Sequence, residues 1–359
     1  MSWPDRRLLD LFGIDLPIIQ APMANFSTTE MAIAAAGAGA LGSIPCASLS
    51  PEQIRAAIAA FRKAAPRPVN VNFFCHVLPP DDAPREAAWR AQLAPYYREA
   101  GLDPETTIPS VARLPFDEAA CALVEELKPE IVSFHFGLPE ENLRRRVKAS
   151  GAKMIASATT VAEARWLEER GCDAVIAMGV EAGGHRGNFL SHDMARQIGT
   201  FALVPQIADA VRVPVIAAGG IADGRGIAAA LALGASAVQI GTAYLFCPEA
   251  KVSAVHARAL ATATDEDTEV TNLFTGRPAR GIVNRLMREM GPISLDTPRF
   301  PNAGRALAPL KADAEKNGAG DFSNLWSGQA AGLAKPLPAR ELTQKLAEDA
   351  VARLGEISL

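Results

Sequence analysis

Eight short apolar runs, each almost unbroken by polar residues, recur along the chain with helix-forming stretches between them. This alternation limits the fold more than any other feature. The runs are LPIIQAPM (16–23), ALGSIP (40–45), VNVNFF (69–74), IVSFHFG (131–137), KMIASA (153–158), AVIAMG (174–179), PVIAAGG (214–220) and AVQIGTAYLF (237–246). A strand covered on both faces buries every side chain and so reads as a continuous apolar run, whereas a half-exposed antiparallel strand alternates. The intervening segments carry helix punctuation. Ser27-Thr28-Thr29-Glu30, Ser50-Pro51-Glu52-Gln53 and Thr160-Val161-Ala162-Glu163 each fit a capping box, in which a hydroxyl and a side chain three residues on satisfy free amides at a helix start. Gly151, Gly171 and Gly234 fall where helices must stop, since glycine takes the left-handed C-terminal conformation without steric cost. Strand and helix repeated eight times predict a (β/α)8 TIM barrel of the α/β class. An open doubly wound sheet is the rival, but it seldom needs eight parallel strands, and no GxGxxG follows the first run.

The chain has 359 residues, and a barrel takes roughly 250, so one main domain with an appendage is expected. Two stretches exceed an ordinary connection: 75–130, and the segment after residue 246. The expected division is a barrel over 1–246 completed by 326–359, and a smaller, mainly helical lid over 247–325 joined by part of 75–130. The balance of 36 basic and 40 acidic side chains, net −4, has no long like-charge block to draw nucleic acid or anionic lipid. A small diffusible partner is therefore expected. Cys46, Cys75, Cys121, Cys172 and Cys247 are odd in number and lack CxxC spacing, so they read as reduced thiols. The N-terminal stretch has no signal-peptide apolar core and no segment is apolar for long enough to span a membrane, which predicts a cytoplasmic protein.

Gly219-Gly220 closes the seventh run, and Gly241-Thr242 interrupts the eighth. In barrels the loops after strands seven and eight, beside a short helix N-terminus, form the recurrent phosphate site. Glycines let backbone amides approach closely, and the helix end adds partial positive charge. EAGGHRGNF (181–189) follows the sixth run. Its Gly-Gly leaves the backbone bare on one side, so that a planar ring can lie against it. His185 would then point into the barrel mouth, where an imidazole binds an anion or takes a proton near neutral pH. Arg186 reads as a surface or phosphate-side cation. Gln20, Pro22, Met23, Asn72 and His135 also close strands. An amide such as Asn72 suits the pyrimidine edge of a flavin, with packing in the barrel layers as the alternative. His76, His192 and His256 fall in loops or the insertion and carry no expected role. No HExxH, GxSxG or cluster of metal-ligand spacing occurs, so no metal site is expected.

QAPMAN (20–25), VNFF (71–74), EAGGHRG (181–187), PVIAAGG (214–220), VQIGTAYL (238–245), TGRPARGIVN (275–284) and LWSGQAA (325–331) together resemble the nitronate monooxygenases, formerly 2-nitropropane dioxygenases, of the bacterial class I type. The resemblance implies FMN as cofactor, without a nicotinamide cosubstrate. It implies oxidation of alkyl nitronates, such as propionate 3-nitronate, by O2 to a carbonyl compound and nitrite. Carried over by position, Asn72, Gly183, Gly220, Gln239, Ile240, Gly241 and Thr242 become flavin contacts, beside Gly219 from the phosphate argument. Met23 becomes the residue next to the isoalloxazine ring, and His185 the active-site histidine. The chain departs from the family at Met178, where a glutamine is common; a thioether cannot donate a hydrogen bond. The competing function is an NAD(P)H-dependent flavin reductase of quinones or enoyl thioesters, since those relatives share the barrel and the AGGH segment. A homodimer is left open.

Overall fold

The computed structural model describes residues 3–106 and 114–357. Among the described residues eleven strands follow one another: β1 (Ile18–Gln20), β2 (Gly42–Pro45), β3 (Val69–Phe74), β4 (Ile131–His135), β5 (Lys153–Ala158), β6 (Ala174–Met178), β7 (Gly184–His185), β8 (Val215–Ala218), β9 (Ala237–Ile240), β10 (Thr268–Thr271) and β11 (Ala279–Ile282). Eight of them pair in the order β1-β9-β8-β6-β5-β4-β3-β2, every pair parallel. A parallel bridge between Ile19 and Leu41 joins the two ends of this row into a barrel. All six residues of β3 and all four of β8 are buried, as strands covered on both faces require.

Local chemistry accounts for where several elements start and stop. Ser50 and Gln53 form the complete reciprocal cap of the helix Pro51–Ala64. The first capping motif is shifted by one residue: Thr28, not Ser27, caps the helix Thr29–Gly37. Ser27 turns its hydroxyl inward instead, donating to the Ala21 carbonyl at 3.0 Å and accepting from the Met23 amide at 3.1 Å. Thr160 caps as expected, but Glu163 spends its carboxylate on Thr159, Phe189 and Leu190, not on the cap. The eighth apolar run is shorter as a strand than its sequence suggests. Pairing ends at Ile240; Gly241 turns into the helical region, and Thr242–Phe246 winds into a 3-10 helix.

The two long excursions meet each other. The helix Ala83–Glu99 brings Trp89, Leu93 and Tyr97 against Leu273, Phe274, Leu286 and Leu307, forming a second apolar core beside that of the barrel. Trp89 Nε1 donates to the Ala303 carbonyl at 3.0 Å and the Tyr97 hydroxyl to that of Ala306 at 2.6 Å, so both amphipathic rings are satisfied where they are buried. Residues 107–113 of the first excursion lie outside the described residues. This region also holds a three-stranded antiparallel sheet, β10-β11-β7, which the expectation of a mainly helical unit did not include. The helix Ala339–Ile357 returns to pack on the barrel helices Gly224–Ala232 and Thr29–Gly37. A Cβ at Gly224 would come within 2.5 Å of the Ala350 amide nitrogen, so only glycine permits that approach. Among the described residues no helix is long and apolar enough to cross a membrane.

Candidate active site

A cleft opens at the C-terminal ends of the barrel strands. Met23, Asn72, Gly183, His185, Gly219, Gly220, Gln239, Gly241 and Thr242 all stand on its lining. Ile240 does not: its side chain is 1% exposed and packs in the barrel wall, while its carbonyl accepts from the Ala21 amide at 2.9 Å. A strand alternates its faces, so Gln239 and Ile240 must point in opposite directions. Met178 and His135 line the cleft as well.

The two glycine loops have different steric reasons. Gly219 and Gly220 both take left-handed backbone, with φ of 108° and 71°. A Cβ on Gly219 would lie 3.0 Å from the Ala182 nitrogen and from Thr200 Oγ1, so the loop after β8 lies flat on the loop after β6. Gly183 is hemmed in on one side, where a Cβ would meet the Gly328 nitrogen at 2.5 Å and the Ser327 carbonyl carbon at 2.6 Å. At Gly184 a Cβ would meet nothing within 4 Å, so of the two glycines it is this one whose backbone is bare.

Glu181 was missed by the sequence reading. It lines the cleft and caps the helix Thr200–Ala210, accepting from the Thr200 amide at 2.8 and 2.9 Å and meeting its hydroxyl at 2.8 Å. The segment around Gly328 was missed too. Thr242 Oγ1 accepts from the Gly328 amide at 2.9 Å, and the Gln329 amide donates to the Glu181 carbonyl at 3.1 Å.

His185 lies on β7, opposite Ala279 of β11, and Gly281 bridges to Trp326. Three separate motifs, EAGGHRG, GRPARG and LWSGQ, therefore meet as neighbouring extended segments. His185 Nε2 is 3.0 Å from Thr275 Oγ1. The Thr275 hydroxyl donates to the Arg277 carbonyl at 3.3 Å, which makes Nε2–H of His185 the donor in their contact. Phe74, Phe136, Phe300 and Trp326 surround the imidazole, with ring centroids 6.4, 5.9, 5.3 and 5.6 Å away. His135 stands close by: its Nε2–H donates to the His185 carbonyl at 3.2 Å, and its Nδ1 lies 3.1 Å from Ser157 Oγ. Burial first, and then the cationic Arg277 and Arg186, push the His135 pKa down to about 3, so its imidazole is neutral at ordinary pH. His256, given no role from sequence, donates from Nε2 to the Trp326 carbonyl at 3.0 Å and packs edge-on against Phe26, steadying two residues of the lining.

Arg186 corrects an expectation. It is fully buried, not a surface or phosphate-side cation. Its guanidinium donates to the Met178 carbonyl at 2.9 Å, the Gly179 carbonyl at 2.6 Å and Gln197 Oε1 at 2.9 and 3.0 Å. Arg280 takes the next carbonyl, that of Val180, at 2.9 Å. Two planar cations thus hold three successive carbonyls at the end of β6 and fix the loop that carries Glu181, Gly183 and His185.

Gln239 Oε1 is buried on the cleft wall with no hydrogen-bond partner among the described residues. A native structure rarely leaves such an atom unmatched, so it marks a place where a polar ligand group fits. The glycine-bent loops beside it leave backbone amides close to the same space, which suits a phosphate-bearing flavin. Asn72 commits its Nδ2 to the Ser133 carbonyl and hydroxyl at 3.2 and 3.0 Å.

By architecture this is a TIM barrel with its ligand cleft at the C-terminal mouth, where barrel enzymes keep their active sites. A family model described as nitronate monooxygenase matches residues 5–349, and the chain belongs to that family of oxidoreductases. The nitronate monooxygenase of Paraburkholderia phytofirmans is 42% identical over 343 residues, covering 95% of this chain and 94% of that protein. The one from Pseudomonas aeruginosa is 42% identical over 346 residues, covering 96% and 98%. Among solved structures, nitroalkane oxidase from Streptomyces ansochromogenes is similar with a TM-score of 0.88 and 37% identity, over 98% of this chain and 99% of that one. FabK from Thermotoga maritima is similar at a TM-score of 0.73 and 29% identity, over 99% of each chain.

Proposed function

We propose that the chain binds FMN in this cleft and oxidises alkyl nitronates with O2 to a carbonyl compound and nitrite. The observation that carries the proposal is the meeting, in one cleft, of the glycine-bent loops and the orphaned Gln239 oxygen with a histidine boxed by aromatic rings. FMN, when bound, supplies a redox centre that takes electrons from the nitronate and passes them to O2. Gly219, Gly220, Gly241 and Thr242 would hold its phosphate, Gln239 and Asn72 would meet its polar groups, and Met23 would pack beside its ring. Gly183 contributes by admitting the 327–328 segment, which braces Thr242.

A nitronate is already a carbanion equivalent, so its oxidation needs no strong base. What the protein must do is hold an anion and keep water away. His185, tethered through Nε2 to Thr275, meets the nitronate head. His135 offers polarity without charge, and Arg186 and Arg277, close enough to depress its pKa, favour an anion at this end of the cleft. The 247–325 segment, with the helix Ala83–Glu99, roofs the site.

The test is to release the cofactor by heat, identify it by mass spectrometry, and then mix the oxidised holoprotein anaerobically with ethylnitronate or with NADPH. Ethylnitronate should bleach the flavin band, and admitted oxygen should restore it with release of nitrite. Bleaching by NADPH and not by the nitronate would reassign the chain to the NAD(P)H-dependent flavin reductases.

A further inference from the structure

Thr160-Val161-Ala162-Glu163 has the sequence of a capping box, yet its glutamate does not close the box. At the matching place in the helix Pro51–Ala64, Gln53 Oε1 turns back to accept from the Ser50 amide at 2.8 Å. Glu163 is 1% exposed, and its two oxygens take four donors from elsewhere. The Thr159 amide and hydroxyl meet Oε2 at 2.7 and 2.8 Å, and the Phe189 and Leu190 amides meet Oε1 at 2.6 and 3.0 Å. A buried carboxylate is costly unless donors surround it, and here they do. Phe189 comes four residues after His185, so the carboxylate fastens the segment leaving β7 to the helix Val161–Glu169.

The same segment seats a cation. The Asn188 carbonyl accepts from Arg277 Nη2, and among the described residues this is the guanidinium's one hydrogen bond, since its Nε is buried without a partner. The rest of the seat is the face of Phe136, whose ring centroid lies 3.9 Å from the guanidinium carbon. Phe136 holds left-handed backbone, with φ of 71°, which a bulky residue rarely takes. Its ring lies 4.4 Å from that of His135 and 5.9 Å from that of His185. The Asn188 carbonyl and the Phe189 amide belong to one planar peptide group. Glu163 therefore holds one end of that group and Arg277 the other, and hydrogen bonds in such a chain polarise and strengthen each other. Burial draws the Arg277 pKa down to about 10, and the charge of Glu163 works against that shift. We infer that Glu163 is a positioning residue of this cleft: through the peptide group of Asn188 and Phe189 it holds Arg277 against Phe136, where the cation favours an anion beside His185. The inference rests on the nitronate activity proposed above, and it names a residue outside the cleft lining that governs substrate binding there.

The experiment uses the FMN-loaded wild-type enzyme, Glu163→Gln, Arg277→Gln and the double variant, and it has two readouts. Amide hydrogen exchange reads the tie itself. In Glu163→Gln the segment 187–190 should exchange faster by about tenfold or more, while 214–220, across the barrel mouth, keeps its wild-type rate. Steady-state oxidation of ethylnitronate reads the consequence. Glu163→Gln and Arg277→Gln should each raise KM by about tenfold and leave kcat within about threefold, since a displaced cation weakens anion binding and a nitronate needs no base. In the double variant KM should rise no further than in Arg277→Gln alone, because the carboxylate acts through that cation. Unchanged exchange at 187–190 would overturn the inference, and so would a wild-type KM in Glu163→Gln or KM effects that simply multiply in the double variant. Should Glu163→Gln not fold, Arg277→Gln decides by itself: a wild-type KM there removes the cation's part and the inference with it. A wild-type enzyme that leaves ethylnitronate untouched would sink the proposed activity, and the exchange rates would still judge the tie.

Discussion

Arg186 is the residue at which a single substitution should do most damage away from the substrate. The change Arg186→Met keeps much of the volume but removes every donor. Three buried acceptors, the carbonyls of Met178 and Gly179 and Oε1 of Gln197, then lose the guanidinium. At about 1–3 kcal/mol for each buried acceptor left unpaired, the gross loss is about 3–9 kcal/mol. Against it stands the cost of burying the cation, several kcal/mol, which the variant no longer incurs. That cost is real here, because burial pulls the Arg186 pKa down to about 10 although the group stays charged at neutral pH. A net destabilisation of about 3 kcal/mol is expected, or a fall in Tm of about 6 °C at roughly 2 °C per kcal/mol. Calorimetry on the holoprotein measures it. Arg186→Lys should fall between, since one ammonium cannot reach acceptors spread across a guanidinium fork. The exposed Arg6–Asp10 pair supplies the control: Arg6→Ala should change stability by less than about 1 kcal/mol. If Arg186→Met melted within a degree or so of wild type and retained its flavin, the bracing argument would be wrong.

Two further outcomes follow from the same geometry. Gly183→Ala should push the Ser327–Gly328 segment off the cleft and weaken flavin binding by about tenfold or more, as read by flavin titration, because its Cβ would sit 2.5 Å from the Gly328 nitrogen; wild-type affinity in that variant would refute the steric reason. Burial lowers the pKa of His135 to about 3 and of His256 to about 4, so the unfolded chain takes up protons first as the pH falls below 6.5. Stability should therefore drop between pH 6.5 and about 4, by about 1.4 kcal/mol per pH unit for each histidine, and these two groups should leave it flat above pH 7.5. Urea midpoints at several pH values would show this, and a His256→Gln variant that kept the full acid slope would count against it.

Much of the barrel was legible because its physics is local. A strand sealed between helices and barrel interior has no polar face, so its run is continuous, and each of the eight runs contains a barrel strand. Capping is local as well, though Thr28 took the role expected of Ser27 when the Ser27 hydroxyl found the Ala21 carbonyl. The strand β7 could not be read in this way. Two residues have no periodicity, and Gly184 and His185 become a strand only because Ala279 and Arg280, more than ninety positions later, lie alongside.

The candidate site divides in the same manner. The sequence by itself determined that two glycine-bent loops follow β8 and β9 and that a Gly-Gly-His follows β6, since bond geometry and strand ends put them at one mouth. Nine of the ten residues singled out stand on the cleft lining, and Ile240 fails for the simple reason that neighbouring strand residues face opposite ways. Only the tertiary structure decided what Arg186 is for, because a charge in a sequence looks solvent-bound until the carbonyls of Met178 and Gly179 are aimed at it. It likewise decided that Glu181 caps the helix Thr200–Ala210, that Trp326 closes on His185, and that Arg277 stacks on Phe136. Such contacts join residues from 7 to 141 positions apart, and no local preference encodes them. They exist because the barrel first brings its loops to one rim and close packing then leaves each polar group a single place to bond.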